Sequence, residues 1–193
     1  MEQITDIKKY ADTHDVPIMM DGGMEFILNY IKENHVKNIL EIGTAIGYSA
    51  INFAKAADDV RVSTIEVDID RYQKAVKNVC DNNLSDRITL FLGDAAGFDF
   101  EEKFDLIFID AAKAQYIKYF QKFQSNLADG GVIITDNLSF HGMVDDLSLT
   151  HNYSTIKLIR KIRQFVHFLK TNEEFDTVFH EVGDRISVSK RKA

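Results

Sequence analysis

Cysteine and proline are almost absent from this chain of 193 residues, which holds one of each. The lone cysteine, Cys80, has no disulfide partner and belongs to no zinc-ligand set, as is typical of a reducing compartment. It lies in a stretch of helical periodicity, so we expect it to fill the core. A single proline with 45% hydrophobic residues indicates an ordered fold. We predict one domain over residues 1–193, in the cytoplasm.

Positive charge is also in deficit and is unevenly placed. The chain has 30 acidic and 23 basic residues, for a net charge of −7, which argues against a protein that is basic all over and binds nucleic acid everywhere. Segment 155–170 is nevertheless basic and contains no acid. Charged residues at positions 2, 6, 8 and 9 argue against a secretory or membrane-spanning segment at the N-terminus.

Short apolar runs alternate with stretches of helical periodicity through the first two thirds of the chain. This alternation is typical of βαβ units that build a parallel sheet. The predicted strands are residues 38–42, 61–66, 88–92, 106–110 and 132–136. The predicted helices are residues 4–13, 23–34, 48–57, 69–82 and 114–127.

The pattern changes after the fifth strand. A polar loop over 138–152 leads to a predicted helix over 155–170, and two strands over 175–182 and 185–189 are joined by Gly183-Asp184 as an antiparallel hairpin. The predicted fold class is therefore α/β and Rossmann-like. Its sheet has seven mostly parallel strands with an antiparallel C-terminal hairpin, and helices cover both faces.

A glycine turn follows the first predicted strand. Gly43 and Gly47 lie between a strand and a helix, where a tight turn lets the backbone approach a nucleotide. The dinucleotide fingerprint G-x-G-x-x-G is not matched, which disfavours a nicotinamide cofactor. Glu41 enters the turn and is placed to meet the ammonium group or water shell of a zwitterionic methionine moiety.

Acidic residues follow two further strands at the same edge of the sheet. Glu66 is placed to accept both ribose hydroxyls of a nucleoside, and Asp94 with Ala95 to address the adenine ring. Taken alone, Glu66 has a second interpretation as a cap of the helix that begins at Ile69. Together with the glycine turn, these residues favour nucleoside binding, because ligands of open α/β sheets bind at the carboxyl ends of the strands.

Oxygen donors end the fourth and fifth strands. Asp110 closes one, and Asp136-Asn137 closes the other, so two carboxylates and an amide carbonyl suit a hard cation such as Mg²⁺. An acid at a strand end is commonly a helix cap or turn former, which is the alternative for Asp110 alone, but three oxygen donors at two neighbouring strand ends favour a metal site. Lys113 is a candidate general base or oxyanion partner, with a surface lysine as its alternative interpretation. His141 is a lone loop histidine and is left out of the catalytic set.

These segments resemble the metal-dependent O-methyltransferases of class I, typified by catechol and caffeoyl-CoA methyltransferases. The matching motifs are 41–49, 108–113 and Asp136-Asn137, and the similarity covers nearly the whole chain. It implies S-adenosylmethionine (SAM) as methyl donor with Mg²⁺ or another hard divalent cation, and a homodimer. It also implies Asp110, Asp136 and Asn137 as metal ligands, and Lys113 and Asp110 as catalytic residues. The implied cofactor-binding residues are Met19, Glu41, Gly43, Ser49, Glu66, Asp94, Ala95 and Asp110.

Two positions depart from the family pattern. Ala45 replaces the middle glycine of the broader methyltransferase turn, a position where the metal-dependent branch tolerates a side chain. The region before residue 16 is short for the family, which puts in doubt any substrate or dimer contacts made by an N-terminal helix.

Within the family, the resemblance is strongest to bacterial tRNA 5-hydroxyuridine methyltransferases, through segments 14–19, 43–49, 109–116, 133–137 with Gly142, and 182–184 followed by 187–192. It implies methylation of the 5-hydroxyl of the wobble uridine to give 5-methoxyuridine. The basic helix would contact phosphates of the tRNA anticodon region through Lys157, Arg160, Lys161 and Arg163.

Three alternatives stay open at the level of the sequence. The charged residues of segment 155–170 can be the solvated face of an amphipathic helix. The acceptor can be a small catechol-like molecule, with the same fold, metal and cofactor. The chain can also be a nucleotide-binding module without catalysis, although Asp110, Asp136, Asn137 and Lys113 would then have no purpose.

Overall fold

Seven strands form one sheet in the computed structural model, which describes residues 4–192. The strands are β1 Asn38–Ile42, β2 Arg61–Glu66, β3 Ile88–Leu92, β4 Phe104–Ile109, β5 Leu127–Thr135, β6 Phe175–His180 and β7 Ile186–Arg191. Their spatial order is β3-β2-β1-β4-β5-β7-β6. The pairs among β1 to β5 are parallel, whereas β7 pairs antiparallel with both β5 and β6. The predicted fold class is thus confirmed.

Six α-helices accompany the sheet over the part of the chain that the structure describes. They are α1 Ile4–Thr13, α2 Asp21–Glu33, α3 Tyr48–Ala56, α4 Ile69–Asp81, α5 Tyr116–Phe123 and α6 Tyr153–Lys170. Between residues 4 and 192, none of the helices has the length and apolar character needed to cross a membrane.

Two hydrophobic cores lie on opposite faces of the sheet, because successive strand side chains point to opposite sides. Phe108 of β4 packs with residues of α1, α2 and α3, including Phe53 at 5.4 Å between ring centroids. Its neighbour Ile107 belongs to the other core, where Phe120 of α5 and Phe165 of α6 pack. Both faces are covered, which explains why the central strands read as continuous apolar runs.

The strand order reverses between β1 and β4. After β1 the chain builds β2 and β3 on one side, then crosses back to place β4 on the other side of β1. The connections that follow β1 and β4 leave the sheet in opposite directions. A crevice therefore opens at the carboxyl ends of these two strands, which is the common ligand site of open α/β sheets.

Several predicted boundaries were wrong in ways that tertiary contacts explain. The helix predicted over 114–127 is only α5, flanked by 3-10 turns, because Leu127 already pairs with Phe104 as the start of β5. α6 begins at Tyr153, since the Asn152 side chain accepts the Thr155 N–H at 3.0 Å. Cys80 is exposed, so it does not fill the core.

The C-terminal hairpin also differs from the prediction. β6 ends at His180 and β7 begins at Ile186, so five residues, 181–185, connect them instead of two. Asp184 in this connection is buried, and its backbone carbonyl accepts the N–H of Ser139 at 2.9 Å. The connection is longer than a tight turn because it packs against the loop that follows β5.

Candidate active site

A cavity of about 480 Å³ opens at the carboxyl ends of the parallel strands. Of the residues predicted for the site, those that line it are Met19, Gly43, Ser49, Glu66, Ala95, Asp110, Lys113 and Asn137. Glu41 and Asp136 are buried, and neither of them, nor the exposed Asp94, is among the lining residues. The fold therefore brings both predicted halves, the nucleoside site and the oxygen donors, to one cavity.

Gly43 makes the closest backbone contact of the cavity. Its φ is +103°, and a Cβ atom there would lie 2.1 Å from the carbonyl oxygen of Asp110. Only glycine fits, because a side chain would be strained by the backbone angle and would overlap the end of β4. Gly47, with φ of 84°, precedes the first turn of α3, which contains Ser49.

Glu66 fixes the turn that the two glycines shape. Its carboxylate accepts the backbone N–H of Ala45 at 2.7 Å, of Val67 at 3.0 Å and of Asp68 at 2.9 Å. The interpretation of Glu66 as a helix cap is wrong, because Asp68 caps α4 through Oδ1. The carboxylate of Glu66 thus lines the cavity and orients Ala45, whose φ is 47°.

Glu41 is a buried acid without a cationic partner. Its Oε2 accepts the hydroxyl of Thr64 at 2.5 Å, and its Oε1 makes no hydrogen bond. Burial raises the pKa of Glu41 to about 7, although the hydroxyls of Ser49 and Thr64 oppose the shift. A positively charged ligand group beside this turn would supply the compensation that the protein lacks.

Asp94 lies on the outer side of the site. Its Oδ1 accepts the N–H of Ala96 at 2.8 Å and the hydroxyl of Tyr119 at 3.3 Å, and the backbone hydrogen bond lowers its pKa. Its neighbour Ala95 is buried and lines the cavity. Asp94 therefore orients the turn after β3 in the ligand-free chain.

The oxygen donors lie together because β4 and β5 are neighbours, with Ile109 paired to Thr135. Asp136 is buried, and its Oδ1 has no hydrogen-bond partner. Asn137 has a left-handed backbone with φ of 60°, and its Oδ1 accepts a hydrogen bond from Lys113 Nζ at 2.8 Å. Lys113 is therefore a residue of the site and not a free surface lysine.

The electrostatics of this cluster are dominated by negative charge. Burial raises the pKa of Asp110 and raises that of Asp136 to about 7, while Lys113 opposes both shifts. Among residues 4–192, no group of three or more His, Cys, Asp or Glu side chains is arranged to hold a metal ion. The predicted donor set differs from such a group, since it consists of two carboxylates and the amide of Asn137.

Asp184 is a site residue that the sequence interpretation missed. It lines the cavity at 4% exposure, and its negative charge raises the pKa of Asp110 and Asp136. An acid beside Gly183 in a hairpin is typical of an ordinary turn. Its burial arises from packing against the loop after β5, which the local sequence does not reveal.

The four basic residues predicted to contact a partner, Lys157, Arg160, Lys161 and Arg163, are all exposed on α6. The guanidinium of Arg163 also donates through Nε and Nη2 to the carbonyl of Val144 at 2.8 and 2.5 Å. Arg163 therefore anchors the loop after β5.

A second cleft of about 320 Å³ runs between α5 and α6 and is called here the lysine cleft. Its lining comprises Lys113, Ala114, Ile117, Lys118, Gln121, Lys161, Gln164 and Phe165. Lys113 lines both cavities, so the lysine cleft adjoins the oxygen donors. It is lined by three lysines and no carboxylate.

Comparisons with known proteins agree with this geometry. A family model described as O-methyltransferase matches residues 1–192. The catechol O-methyltransferase of Niastella koreensis is 34% identical over 155 residues, covering 76% of this chain and 68% of that protein. A Staphylococcus aureus crystal structure, provisionally described as a caffeoyl-CoA O-methyltransferase, has a TM-score of 0.94 at 32% identity, covering 100% of this chain and 93% of the other. An O-methyltransferase from Bacillus cereus in complex with SAH (S-adenosylhomocysteine) has a TM-score of 0.83 at 25% identity, with coverage of 98% and 90%.

Replacing Gly43 with alanine is expected to weaken binding of S-adenosylhomocysteine at least about tenfold, because left-handed strain costs about 1–2 kcal/mol and the new Cβ displaces the turn. Isothermal titration calorimetry measures the effect, and circular dichroism confirms folding. Gly97→Ala is the matched control, since nothing lies within 4 Å of its Cβ position. Equal affinity in both variants would contradict the role of Gly43.

The pH dependence of stability tests the burial of Glu41. Its pKa is raised from 4.5 to about 7, so the native state retains a proton that the unfolded state has lost. The free energy of unfolding of the ligand-free protein should therefore fall as pH rises from 4.5 through 7. A tenfold difference in proton affinity between the folded and unfolded states corresponds to about 1.4 kcal/mol.

Glu41→Gln removes the titrating group and should flatten this pH profile, leaving the contribution of Asp136. Urea unfolding at several pH values measures it. Glu25→Gln, a change at an exposed position of α2, should leave the profile as in the wild type. A profile that Glu41→Gln does not alter would exclude the buried carboxylate as its source.

Proposed function

Because this chain belongs to the O-methyltransferase family, in the SAM-dependent class of caffeoyl-CoA and catechol O-methyltransferases, we propose that it methylates an acceptor with two adjacent oxygens held on a divalent metal. The proposal rests on one observation. Four side chains converge at the ends of β4 and β5, beside the glycine turn at residues 43–47: Asp110, Asp136, Asn137 and Lys113. A nucleotide-binding module without catalysis would not need this cluster.

The donor set fits a hard cation such as Mg²⁺. Asp136 Oδ1 is buried without a partner, and the ammonium of Lys113 already binds the Asn137 oxygen, so the cluster attracts positive charge. Carboxylate and amide oxygens are the preferred ligands of Mg²⁺. Asp110, Asp136 and Asn137 would hold the ion, which would lower the pKa of an acceptor hydroxyl.

The other end of the cavity would hold the methyl donor. The turn at Gly43 lets the backbone approach the methionine moiety, and Glu41 provides the negative charge that its ammonium group requires. Glu66 lines the cavity near the ribose, with Met19 and Ala95 as apolar walls. These cofactor contacts stay predictions for the ligand-bound state.

The reaction transfers a methyl group between two bound molecules. The acceptor oxygen forms a bond to the methyl carbon as the bond from that carbon to sulfur breaks, and S-adenosylhomocysteine leaves. Lys113 Nζ lies beside the oxygen donors, where it is placed to receive the hydroxyl proton or to stabilise the oxyanion. Both reactants would be held in one cavity, so positioning would contribute a large part of the rate.

For the acceptor, we propose the 5-hydroxyl of 5-hydroxyuridine at the wobble position of tRNA, with 5-methoxyuridine as product. That hydroxyl lies next to the 4-carbonyl, so the base offers the same pair of adjacent oxygens as a catechol. The lysine cleft supports this choice, because Lys118 and Lys161 offer ammonium groups for phosphates beside the site. Lys157 and Arg160 extend this basic surface along α6.

A small catechol-like acceptor is the alternative, and the catechol and caffeoyl-CoA relatives support it. It would use the same donor set and cofactor turn without any contact to a phosphate backbone. The homodimer implied by the family resemblance stays a prediction.

Asp136→Ala should abolish methyl transfer while S-adenosylhomocysteine binding stays within about twofold of wild type, because Asp136 belongs to the oxygen donors and not to the cofactor turn. Transfer from labelled SAM and calorimetry measure the two effects. Asp129→Ala, at an exposed position of β5, is the matched control and should retain activity. Full activity of Asp136→Ala would contradict the metal-assisted mechanism.

The acceptor is tested by offering tRNA that carries 5-hydroxyuridine and a simple catechol at matched concentration, with labelled SAM, with and without Mg²⁺. Metal-dependent label in the tRNA is the expected result. Label only in the catechol would overturn the tRNA proposal and leave the metal chemistry standing. Label in neither would overturn both acceptors.

The double variant Lys118→Gln/Lys161→Gln should weaken tRNA binding and reduce the slope of log affinity against log salt concentration by about 2, since each phosphate contact contributes about 1. Catechol turnover, if present, should not change. Lys32→Gln/Lys55→Gln, at exposed positions of α2 and α3, is the matched control. An unchanged salt slope would exclude phosphate binding in the lysine cleft.

A further inference from the structure

We infer that Asp184 is a positioning residue of the proposed metal cluster: one oxygen of its carboxylate holds the loop after β5, and the charge of the carboxylate strengthens cation binding at Asp110, Asp136 and Asn137. This inference rests on the proposed function, because it presupposes that the cluster binds a divalent cation. Asp184 is remote in sequence from the three donors and comes to them through the connection between β6 and β7.

The two oxygens of the Asp184 carboxylate have different environments. Oδ1 accepts the backbone N–H of His141 at 2.7 Å, whereas Oδ2 is buried and makes no hydrogen bond. The residue is 4% exposed and lines the cavity that also contains Asp110, Lys113 and Asn137. An unpaired buried carboxylate is costly, and it is expected where a cation completes the site.

The cations nearest in sequence and space do not compensate Asp184. Arg185 pairs instead with Asp145 at 2.7 Å and with Glu181 at 2.8 Å. Lys113 is bonded to Asn137. The hydrogen bond of Lys113 thus goes to Asn137 and not to Asp110, Asp136 or Asp184, and the negative charge of Asp184 adds to that of the other two carboxylates.

Asp184 does not complete a set of three carboxylate ligands with Asp110 and Asp136, since within residues 4–192 no group of three or more His, Cys, Asp or Glu side chains is arranged to hold a metal ion. The negative charge of Asp184 acts electrostatically on the oxygen donors. Its hydrogen bonds act on them indirectly, by holding the loop after β5. Leu138 N–H donates to the carbonyl of Arg185 at 3.0 Å, and Ser139 N–H to the carbonyl of Asp184 at 2.9 Å. The His141 contact adds a third hydrogen bond, and the guanidinium of Arg185 donates two more to Asp145 of the same loop.

The loop needs this restraint because its backbone is unfavourable. Asn137, Phe140 and His141 have φ of 60°, 48° and 57°, in the left-handed region that side chains rarely adopt. Such conformations persist only where surrounding contacts hold them. Asp184 thus restrains the backbone of the loop at Ser139 and His141, directly after Asn137.

The test is direct binding of Mn²⁺ alone, measured by electron paramagnetic resonance in the presence of S-adenosylhomocysteine. Asp184→Asn removes the charge but keeps an oxygen for the His141 N–H, so it should weaken Mn²⁺ binding about 10–100-fold, as changes behind metal ligands typically do. Asp146→Asn is the matched control, because its exposed carboxylate accepts the Ser148 N–H in the same loop. It should bind Mn²⁺ as the wild type does.

Thermal unfolding separates the effect of charge from general damage. Without metal, Asp184→Asn should melt no lower than wild type, because it loses an uncompensated buried charge, and the rise in melting temperature on adding Mn²⁺ should shrink. Asp184→Ala removes the loop contact as well and should melt lower than Asp184→Asn. Equal melting temperatures of Asp184→Asn and Asp184→Ala would contradict the claim that Asp184 restrains the loop.

Wild-type affinity for Mn²⁺ in Asp184→Asn would overturn the inference while leaving the proposed function intact. No Mn²⁺ binding by the wild type would instead refute the metal-assisted function on which the inference rests. A metal-free Asp184→Asn protein that melts well below wild type would assign the residue a structural role only.

Discussion

The pairing of β1 with β4 is the constraint on which the rest of the site depends. It brings the turn after β1 so close to the end of β4 that Gly43 and the carbonyl of Asp110 are in direct contact. The glycine turn at residues 43–47 and Asp110 are therefore parts of one junction between the two strands. The crossover from β3 back to β4 makes this junction possible, since it places two strands that are distant in sequence side by side.

Buried carboxyl oxygens without hydrogen bonds are the second property that unites the site. Glu41, Asp136 and Asp184 each have a buried carboxylate oxygen without a hydrogen bond. Each such oxygen lowers the stability of the ligand-free protein. The proposed ligands, a sulfonium cofactor with an ammonium group and a divalent cation, are positively charged. The ligand-free protein would then be destabilised at the places where these ligands bind. Binding would restore the stability, and the gain would grow as the ligand concentration rises.

The sheet could be predicted from the sequence because apolar periodicity is a local signal. β1, β2 and β3 have the predicted bounds, and the acids at strand ends converge because parallel strands share an edge. What sequence reasoning missed depends on distant contacts. Arg163 is held by Val144, and Asp184 by His141, across 19 and 43 positions of the chain. No local pattern distinguishes such residues from a solvated helix face or an ordinary turn.

The order of the cavity-lining residues along the chain has a consequence for how this fold can change. Residues 17–95 contribute the half with the cofactor turn, and residues 110–184 contribute the half with the oxygen donors and the adjoining cleft. The loop after β5 is tied to the hairpin and, through Arg163, to α6, so the C-terminal half forms one connected unit. We expect recombination between relatives to alter residues 110–184 as one unit, provided that the contact between Gly43 and the carbonyl of Asp110 is kept.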